Sequence, residues 1–471
     1  MPSTTATRPD PARWRILGVT LAVGFMSLLD VTIVNIALPS MRSGLDTTPA
    51  TIQWVVSGYA LTFGLMLVTG GRLGDAFGRR RLMLIGLTGF VLASAACGLA
   101  PTAEWLIAAR LLQGVSAGLL SPQNTGIIQQ FFDGDERGRA FGLFGFTVAV
   151  SSAIGPLVGG LILAVAGTDD GWRWIFLVNV PIGLALLVAI SRIVPGRQQQ
   201  GRGDPRLDLV GSALVGLTVI LLLLPVVALE SGRPMALLLL VLAPVAGWAF
   251  VRWELRLARR EGAPLLDVDL LRRTPGYGNG IVVGTLYFTG FTGVFLVTSI
   301  FLQDGLGYDA LAAALVMTPF ALGAAVSAPA AGRLVARWGR RITVRALSVM
   351  MSGLLVLALV VPYVDDRPLL WLWMGIPLLV SGLGGGGVIS PNFTLTLAQV
   401  PPRMGGAAGG ALQTGQRVGS SIGAALLVTV YQLTLGTDAT DPAVALRAAL
   451  LAALVLLSAA LAAAWWDLRR R

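Results

Sequence analysis

Apolar residues in this chain come in long runs separated by short polar turns. Fourteen runs of about twenty residues can be traced, at roughly 16–38, 51–70, 82–100, 104–129, 140–166, 174–194, 207–229, 235–255, 277–302, 310–331, 342–362, 369–398, 406–433 and 442–466. At about 1.5 Å per residue, each is long enough to cross the roughly 30 Å core of a bilayer. Hydrocarbon offers no water to the backbone, so runs of this length must be helices that close their own hydrogen bonds. The pattern therefore predicts an all-α integral membrane protein of fourteen transmembrane helices. An even number puts both termini on one side.

Two of the polar turns share a spelling. Gly71 to Arg81 reads GRLGDAFGRRR, and Gly332 to Arg341, 261 residues later, reads GRLVARWGRR. An Arg-rich, Gly-punctuated segment cannot lie in hydrocarbon, so each copy is expected to be a tight loop in water joining two spanning helices. A second correspondence supports duplication. GVSAGLLSPQN begins at Gly114 and GLGGGGVISPN at Gly382, their Ser-Pro pairs 269 residues apart. The chain thus divides into two pseudo-symmetric six-helix bundles, 1–194 and 275–471. Two additional helices with flanking Arg- and Gly-rich segments fill 195–274. The repeat is imperfect at one place: where the first loop has Asp75, the second has Ala336.

Composition agrees with the pattern. The chain is 55% hydrophobic and 13% charged, with a mean hydropathy of +0.76, far too apolar for an ordinary soluble domain. The formal charge of +11 has a topological reading. Arginines crowd alternate connections: Arg8 to Arg15, Arg72 to Arg81, Arg137 and Arg139, Arg192 to Arg206, Arg252 to Arg273, Arg333 to Arg345, Arg403, and Arg469 to Arg471. The opposite connections carry Asp46, Asp169, Asp170, Asp304, Asp309, Asp365, Asp366, Asp438 and Asp441. This positive-inside asymmetry places both termini and the 71–81 loop in the cytoplasm. It accounts for the basic charge better than nucleic-acid binding does. The first run is long enough to span and lacks a small-residue cleavage site, so it reads as a helix rather than a removable signal. Cys97, the single cysteine, lies in an apolar run; no intrachain disulfide can form and its expected role is packing.

Two absences narrow the chemistry. Without histidine there are no His-based triads, HExxH zinc sites or histidine proton relays. All 35 basic residues are arginine, so P-loop and Schiff-base lysines are missing too. Neither an ATP-driven pump nor a membrane enzyme has much to work with, and no cofactor or metal is expected. The Arg-for-Lys bias, with abundant Ala and Gly, suggests a GC-rich bacterial genome.

Candidate functional residues are polar groups at membrane depth. Asp30 lies about eight residues, some 12 Å, inside the outer end of the first run, where a carboxylate is costly unless paired or protonated. Arg110 lies about six residues, some 9 Å, inside the same surface on the fourth run, so the two share a depth. They are expected to form a proton-coupling pair: protonation of Asp30 releases Arg110, and substrate competes with the proton. The alternatives are a static buried ion pair, or a carboxylate that only bonds neighbouring helices together. Arg110, Gln113, Ser121 and Asn124 form a polar stripe at helical spacing, expected to face a cavity or another helix, joined by Asn35, Gln413 and Arg417. Arg417 lies near the bilayer middle with no acid at comparable depth in the second half, which favours neutral, zwitterionic or anionic amphiphiles as substrate. In the first loop, Gly71, Asp75, Gly78, Arg79 and Arg80 are expected to gate. Asp75 would face the N-terminal dipole of the third helix, and Arg79 and Arg80 the C-termini of neighbours, latching the cytoplasmic side. Gly155, Pro156, Gly159 and Gly160 suit a tight contact across the halves.

These motifs together resemble the major facilitator superfamily of secondary transporters, and within it the fourteen-helix drug:proton antiporter branch, over nearly the whole chain. The carriers of the resemblance are the 71–81 loop, LDVTIVNIALP from Leu29, the R-x-x-Q-G of Arg110, Gln113 and Gly114, GPLVGG from Gly155, and WRWIFLVNVPIG from Trp172. The resemblance implies a proton-gradient-driven exporter of lipophilic drugs, dyes or secondary metabolites. It also links the helix-4 arginine to proton movement and the GPLVGG motif to antiport rather than symport. Expected partners are a small amphiphilic substrate, protons and membrane lipids, for a monomer in the bacterial inner membrane. The rival readings are an uptake symporter and a non-transporting receptor on the same scaffold.

Overall fold

A computed structural model describes residues 12–167, 170–196, 208–230, 234–260, 264–266, 268–363, 369–436 and 441–470. Arg8, Asp169, Asp365, Asp366, Asp438, Arg471 and most of the connection before Asp208 lie outside them. The first half comprises α1 (Arg13–Gly44), α2 (Pro49–Phe77), α3 (Arg79–Gly98), α4 (Ala103–Phe131), α5 (Gly134–Ala166), α6 (Trp172–Leu177) and α7 (Asn179–Ile193). The middle segment holds α8 (Leu209–Glu230), α9 (Ala243–Arg259) and the short α10 (Val268–Arg273). The second half has α11 (Tyr277–Ile300), α12 (Ala310–Trp338), α13 (Arg340–Val360), α14 (Leu370–Thr396), α15 (Gly405–Leu435) and α16 (Pro442–Arg470).

Among the described residues, twelve helical spans are long and apolar enough to cross a membrane. Two of the predicted runs are not among them. The 29-residue α4 carries Arg110, Gln113, Gln123 and Asn124, which lower its hydropathy, and the apolar part of α8, Leu209–Pro225, is short.

Helix ends differ from the expectation in two informative places. Gly71 to Phe77 form the last turns of α2, not a loop, and α3 begins at Arg79, so the turn is little more than Gly78. Its backbone sits at φ 98° and ψ 131°, and Gly339, between α12 and α13, sits at φ 52° and ψ −137°. Both are regions that only glycine occupies without strain. The motif is helical because its apolar and small residues continue the pattern, and one glycine suffices to reverse the chain. At the other end of α1 the helix runs through Pro39 to Gly44. Pro39 is exposed, so the hydrogen bond it forfeits is at little cost.

The duplication is visible in the packing. α2 pairs with α4, α3 with α4 and α1 with α5; α12 pairs with α14, α13 with α14 and α11 with α15 in the same manner. The two main contacts between halves, α5 on α12 and α2 on α15, are exchanged by the same correspondence. Each is a glycine seam. A Cβ at Gly138 would overlap the carbonyl of Gly332, and one at Gly142 would lie 3.1 Å from Pro329 Cα. On the other seam a Cβ at Gly71 would overlap Gly406 O, and one at Gly410 would overlap Leu67 O. Small residues let backbones approach this closely, which drives helix association where lipid removes the hydrophobic effect between helices. Leu17, Ile128, Phe141 and Phe144 join Phe393, Leu397 and Leu412 in one apolar cluster across the halves. The middle segment lies over the α2–α15 seam: α8 packs on both helices, and Val68, Ala411, Phe250 and Leu266 share a cluster.

Gly339→Ala is expected to destabilise the α12–α13 turn by about 1–3 kcal/mol. It would lower the midpoint of thermal unfolding followed by tryptophan fluorescence in detergent. Gly307, also at positive φ (72°) and, like Gly339, with no atom within 4 Å of an added Cβ, provides a comparison away from the motif.

Candidate functional site

Asp30 sits fourteen residues, about 21 Å, from the Gly44 end of α1, deeper than the sequence expectation because the helix continues past Pro39. It still meets Arg110. Arg110 Nη1 donates to Asp30 Oδ2 at 2.6 Å, and Arg110 Nε donates to the backbone oxygen of Val55 on α2 at 2.9 Å. Gln113, one turn along α4, donates from Nε2 to Asp30 Oδ1 at 3.0 Å and to Ser94 Oγ at 2.8 Å, and accepts from Arg110 at 2.7 Å. Asn179, at the start of α7, completes the carboxylate with a 2.8 Å bond to Oδ1. The guanidinium lies over the Tyr59 ring at 4.1 Å from its centroid.

The pair is fully enclosed, with Asp30 0% and Arg110 1% exposed. Five helices, α1, α2, α3, α4 and α7, supply it, and all belong to the first half. A buried carboxylate and guanidinium are tolerated only when each satisfies the other and the remaining donors and acceptors find partners. Here nearly every polar atom does. The arrangement can hold a charge pair in a dry interior, and a proton on Asp30 would dismantle it.

A second cluster joins the halves at the end that carries both Gly-Arg motifs. Asp75, in the last turn of α2, accepts from the backbone N–H of Gly406 at 3.1 Å and of Ala407 at 2.9 Å, at the N-terminus of α15. The dipole it faces is therefore that of α15, not the α3 dipole expected from its place in the sequence. The chain reverses at Gly78, which leaves Asp75 pointing at the opposite half. Arg79 Nη2 bonds Asp75 Oδ1 at 3.0 Å and the carbonyl of Pro402 at 2.7 Å. Its Nη1 reaches Gln130 Oε1 at 2.8 Å and the carbonyl of Gly126 in α4. Arg80 donates to the carbonyl of Ser191 in the last turn of α7, the helix C-terminus expected of it. Gln129 and Arg137 add bonds to the carbonyls of Leu397 and Ala398. In the second half, where Ala336 replaces the acid, Arg340 pairs instead with Asp467 of α16 at 2.7 Å and with Asn392 at 2.8 Å.

The remaining candidates divide. Ser121 donates to Gln413 Oε1 across the halves at 2.5 Å, and Arg417 lies over the Phe63 ring at 4.4 Å, so this part of the predicted stripe does meet at the interface. Gln113 belongs to the Asp30 cluster rather than to a cavity. Asn124 is buried against Gly24 of α1, and Asn35 is exposed. The Gly155 motif contacts α1 and not mainly the other half. A Cβ at Gly155 would overlap Thr32, one at Gly159 would lie 3.1 Å from Ile33, and only Gly160 nears α12, 3.9 Å from Leu311. Pro156 between them is half-buried. The cross-half role belongs to Gly138 and Gly142, whose small-xxx-small spacing is a readable signal that the sequence reading passed over. Asn179 was also missed; a lone amide in an apolar run was its signal.

The model of the Major Facilitator Superfamily matches residues 20–424. The probable actinorhodin transporter of Streptomyces coelicolor is 39% identical over 445 residues, covering 93% of this chain and 76% of the relative. The puromycin resistance protein pur8 of Streptomyces alboniger is 38% identical over 428 residues, covering 90% and 82%. Among solved structures, the superfamily transporter FucP in its outward conformation aligns over 97% of this chain and 99% of its own with a TM-score of 0.66. At 11% identity it shares the fold.

Two outcomes test the site's energetics. Asp30→Leu leaves Arg110 buried and uncompensated and is expected to cost about 3–5 kcal/mol, most of which Asp30→Leu with Arg110→Met recovers; thermal unfolding of both reads this. Asp75→Ala is expected to speed hydrogen exchange of the Gly406 and Ala407 amides at least ~10-fold, the value of a lost charge-assisted bond, in exchange mass spectrometry.

Proposed function

The chain belongs to the major facilitator superfamily, a family of transporters with antibiotic and multidrug exporters among this protein's relatives, and we propose that it is a proton-coupled antiporter. It exports lipophilic drugs, dyes or secondary metabolites across a bacterial inner membrane by alternating access. The reading includes fourteen spans, with α4 and α8 crossing beside the twelve apolar ones, and both termini in the cytoplasm. Its bundles are 1–194 and 275–471, around the inserted 195–274, and it works as a monomer without a cofactor.

The observation that carries the proposal is the enclosed Asp30–Arg110 pair. A carboxylate whose charge is matched by one guanidinium and two further polar groups is stable while ionised and dry. Water reaching it from outside could deliver a proton. The neutral acid would then release Arg110, which must find other acceptors or move, and that shifts α4 against α1 and α2. The latch at Asp75 and Arg79 lets such a shift act across the halves, because its bonds to Pro402, Gly406 and Ala407 join them and can break together. The glycine seams supply surfaces along which rigid halves can rock. With the arginine-rich connections inside, the latched end is the cytoplasmic one. The proton gradient then powers export, since each cycle brings a proton inward for a substrate carried outward.

Efflux of a fluorescent amphiphile from loaded cells, with and without a collapsed proton gradient, tests this. Gradient-dependent efflux is expected in the wild type and a loss of at least ~10-fold in Asp30→Asn, which keeps the shape but removes the charge. Full gradient-dependent efflux in Asp30→Asn would move coupling to another residue.

A further inference from the structure

Gln413 and Arg417 stand one turn apart on α15, on one face of the helix, and that face is turned to the first half. Ser121 engages the amide oxygen of Gln413. The amide nitrogen, on a side chain only 7% exposed, is buried with no acceptor. An unpaired buried donor is a standing cost that an oxygen on a ligand would remove.

Arg417 makes the same demand more strongly. It lies twelve residues, about 18 Å, from the Gly405 end of α15, well inside the membrane. The buried arginines among the described residues have acids: Arg110 has Asp30, Arg79 has Asp75, Arg137 has Asp133 and Arg340 has Asp467. Among the described residues Arg417 has none, and its guanidinium carbon lies 4.4 Å from the centroid of the Phe63 ring, which itself stacks on Tyr59 at 6.0 Å. A guanidinium seated over a ring can still offer its N–H groups to a planar oxyanion.

We propose that Gln413 Nε2 and the Arg417 guanidinium form the acceptor for the acid group of the substrate, which is therefore an organic anion: an amphiphile with a carboxylate, sulfonate or phenolate beside a flat ring. The inference deepens the exporter reading and rests on it for the word substrate. A cationic amphiphile would meet an unscreened positive charge in a medium of low dielectric and be rejected. The ring of an anionic one would lie against the Phe63 side of the seam while its acid group satisfies both donors.

Three probes of one skeleton test the assignment: 1-pyrenebutyrate, its methyl ester and 1-pyrenebutyltrimethylammonium, titrated by fluorescence onto the purified full-length protein in uncharged detergent. The acid is expected to bind about ten-fold more tightly than the ester, with the ammonium weakest. Arg417→Gln should erase the acid–ester gap and leave ester binding as it was. Arg417→Lys should keep part of the gap, and Gln413→Ala should weaken the acid a few-fold only. Equal binding of acid and ester by the wild type, or binding of neither, overturns the proposal. So does a gap that survives Arg417→Gln, which would mean that the guanidinium only packs on Phe63. If Arg417→Gln loses the ester as well, the outcome in Gln413→Ala decides, and an unchanged acid affinity there counts against the site. A gap that behaves as expected in a protein with no gradient-driven efflux would retire the exporter reading and leave the anion site standing.

Discussion

A charge inside hydrocarbon has to be answered by the protein itself, because no water or counter-ion is there to do it. That requirement explains most of the architecture. Arg110 fixes α4 against α1 through Asp30 and against α2 through the Val55 carbonyl, while Asn179 draws α7 to the same carboxylate. The glycine-lined helices of the first half could pack in several registers; the ion pair admits one. At the motif end the same rule brings Asp75 to the amides of α15 and Arg340 to Asp467. Where the rule is unmet, at Arg417, the unanswered charge becomes the place at which a ligand would be welcome.

The two charged clusters differ in a way that matters for movement. The Asp30 cluster lies inside one half, so a change in its charge would act on how the first-half helices sit together. The Asp75 cluster bonds across the halves, to the amides of Gly406 and Ala407 and the carbonyl of Pro402, so its loss would act on how the halves are held together. Between the two runs α2, which supplies Val55, Tyr59 and Phe63 near one and Gly71 and Asp75 at the other. A rigid helix with contacts at both places is a physical means by which a change at Asp30 can be felt at the latch.

The inserted middle segment has a place in this scheme. Rather than extending either half, α8 covers the α2–α15 seam, with Val219 and Leu223 against Gly64 of α2. The α5–α12 seam has no such cover from the middle segment among the described residues. The two seams are symmetric in their glycines and unsymmetric in what lies over them, so rocking of the halves would drag α8 across one side only.

Much of this could be read along the chain. Apolar run lengths gave nearly every helix, the repeated Gly-Arg motif revealed the duplication, and Asp30, Arg110, Gln113, Ser121, Gln413 and Arg417 all drew notice as polar residues where polar residues are expensive. These properties depend on each residue and its near neighbours, which is why sequence determined them. What tertiary structure alone decided was partnership. Gln113 turned inward to Asp30, Asn124 to Gly24, the Gly155 motif to α1, and Asp75 to a helix that begins more than three hundred residues later. A helix presents polar groups and glycines around its whole circumference. Which of them meet is settled by how all the helices pack at once, and no local pattern carries that information.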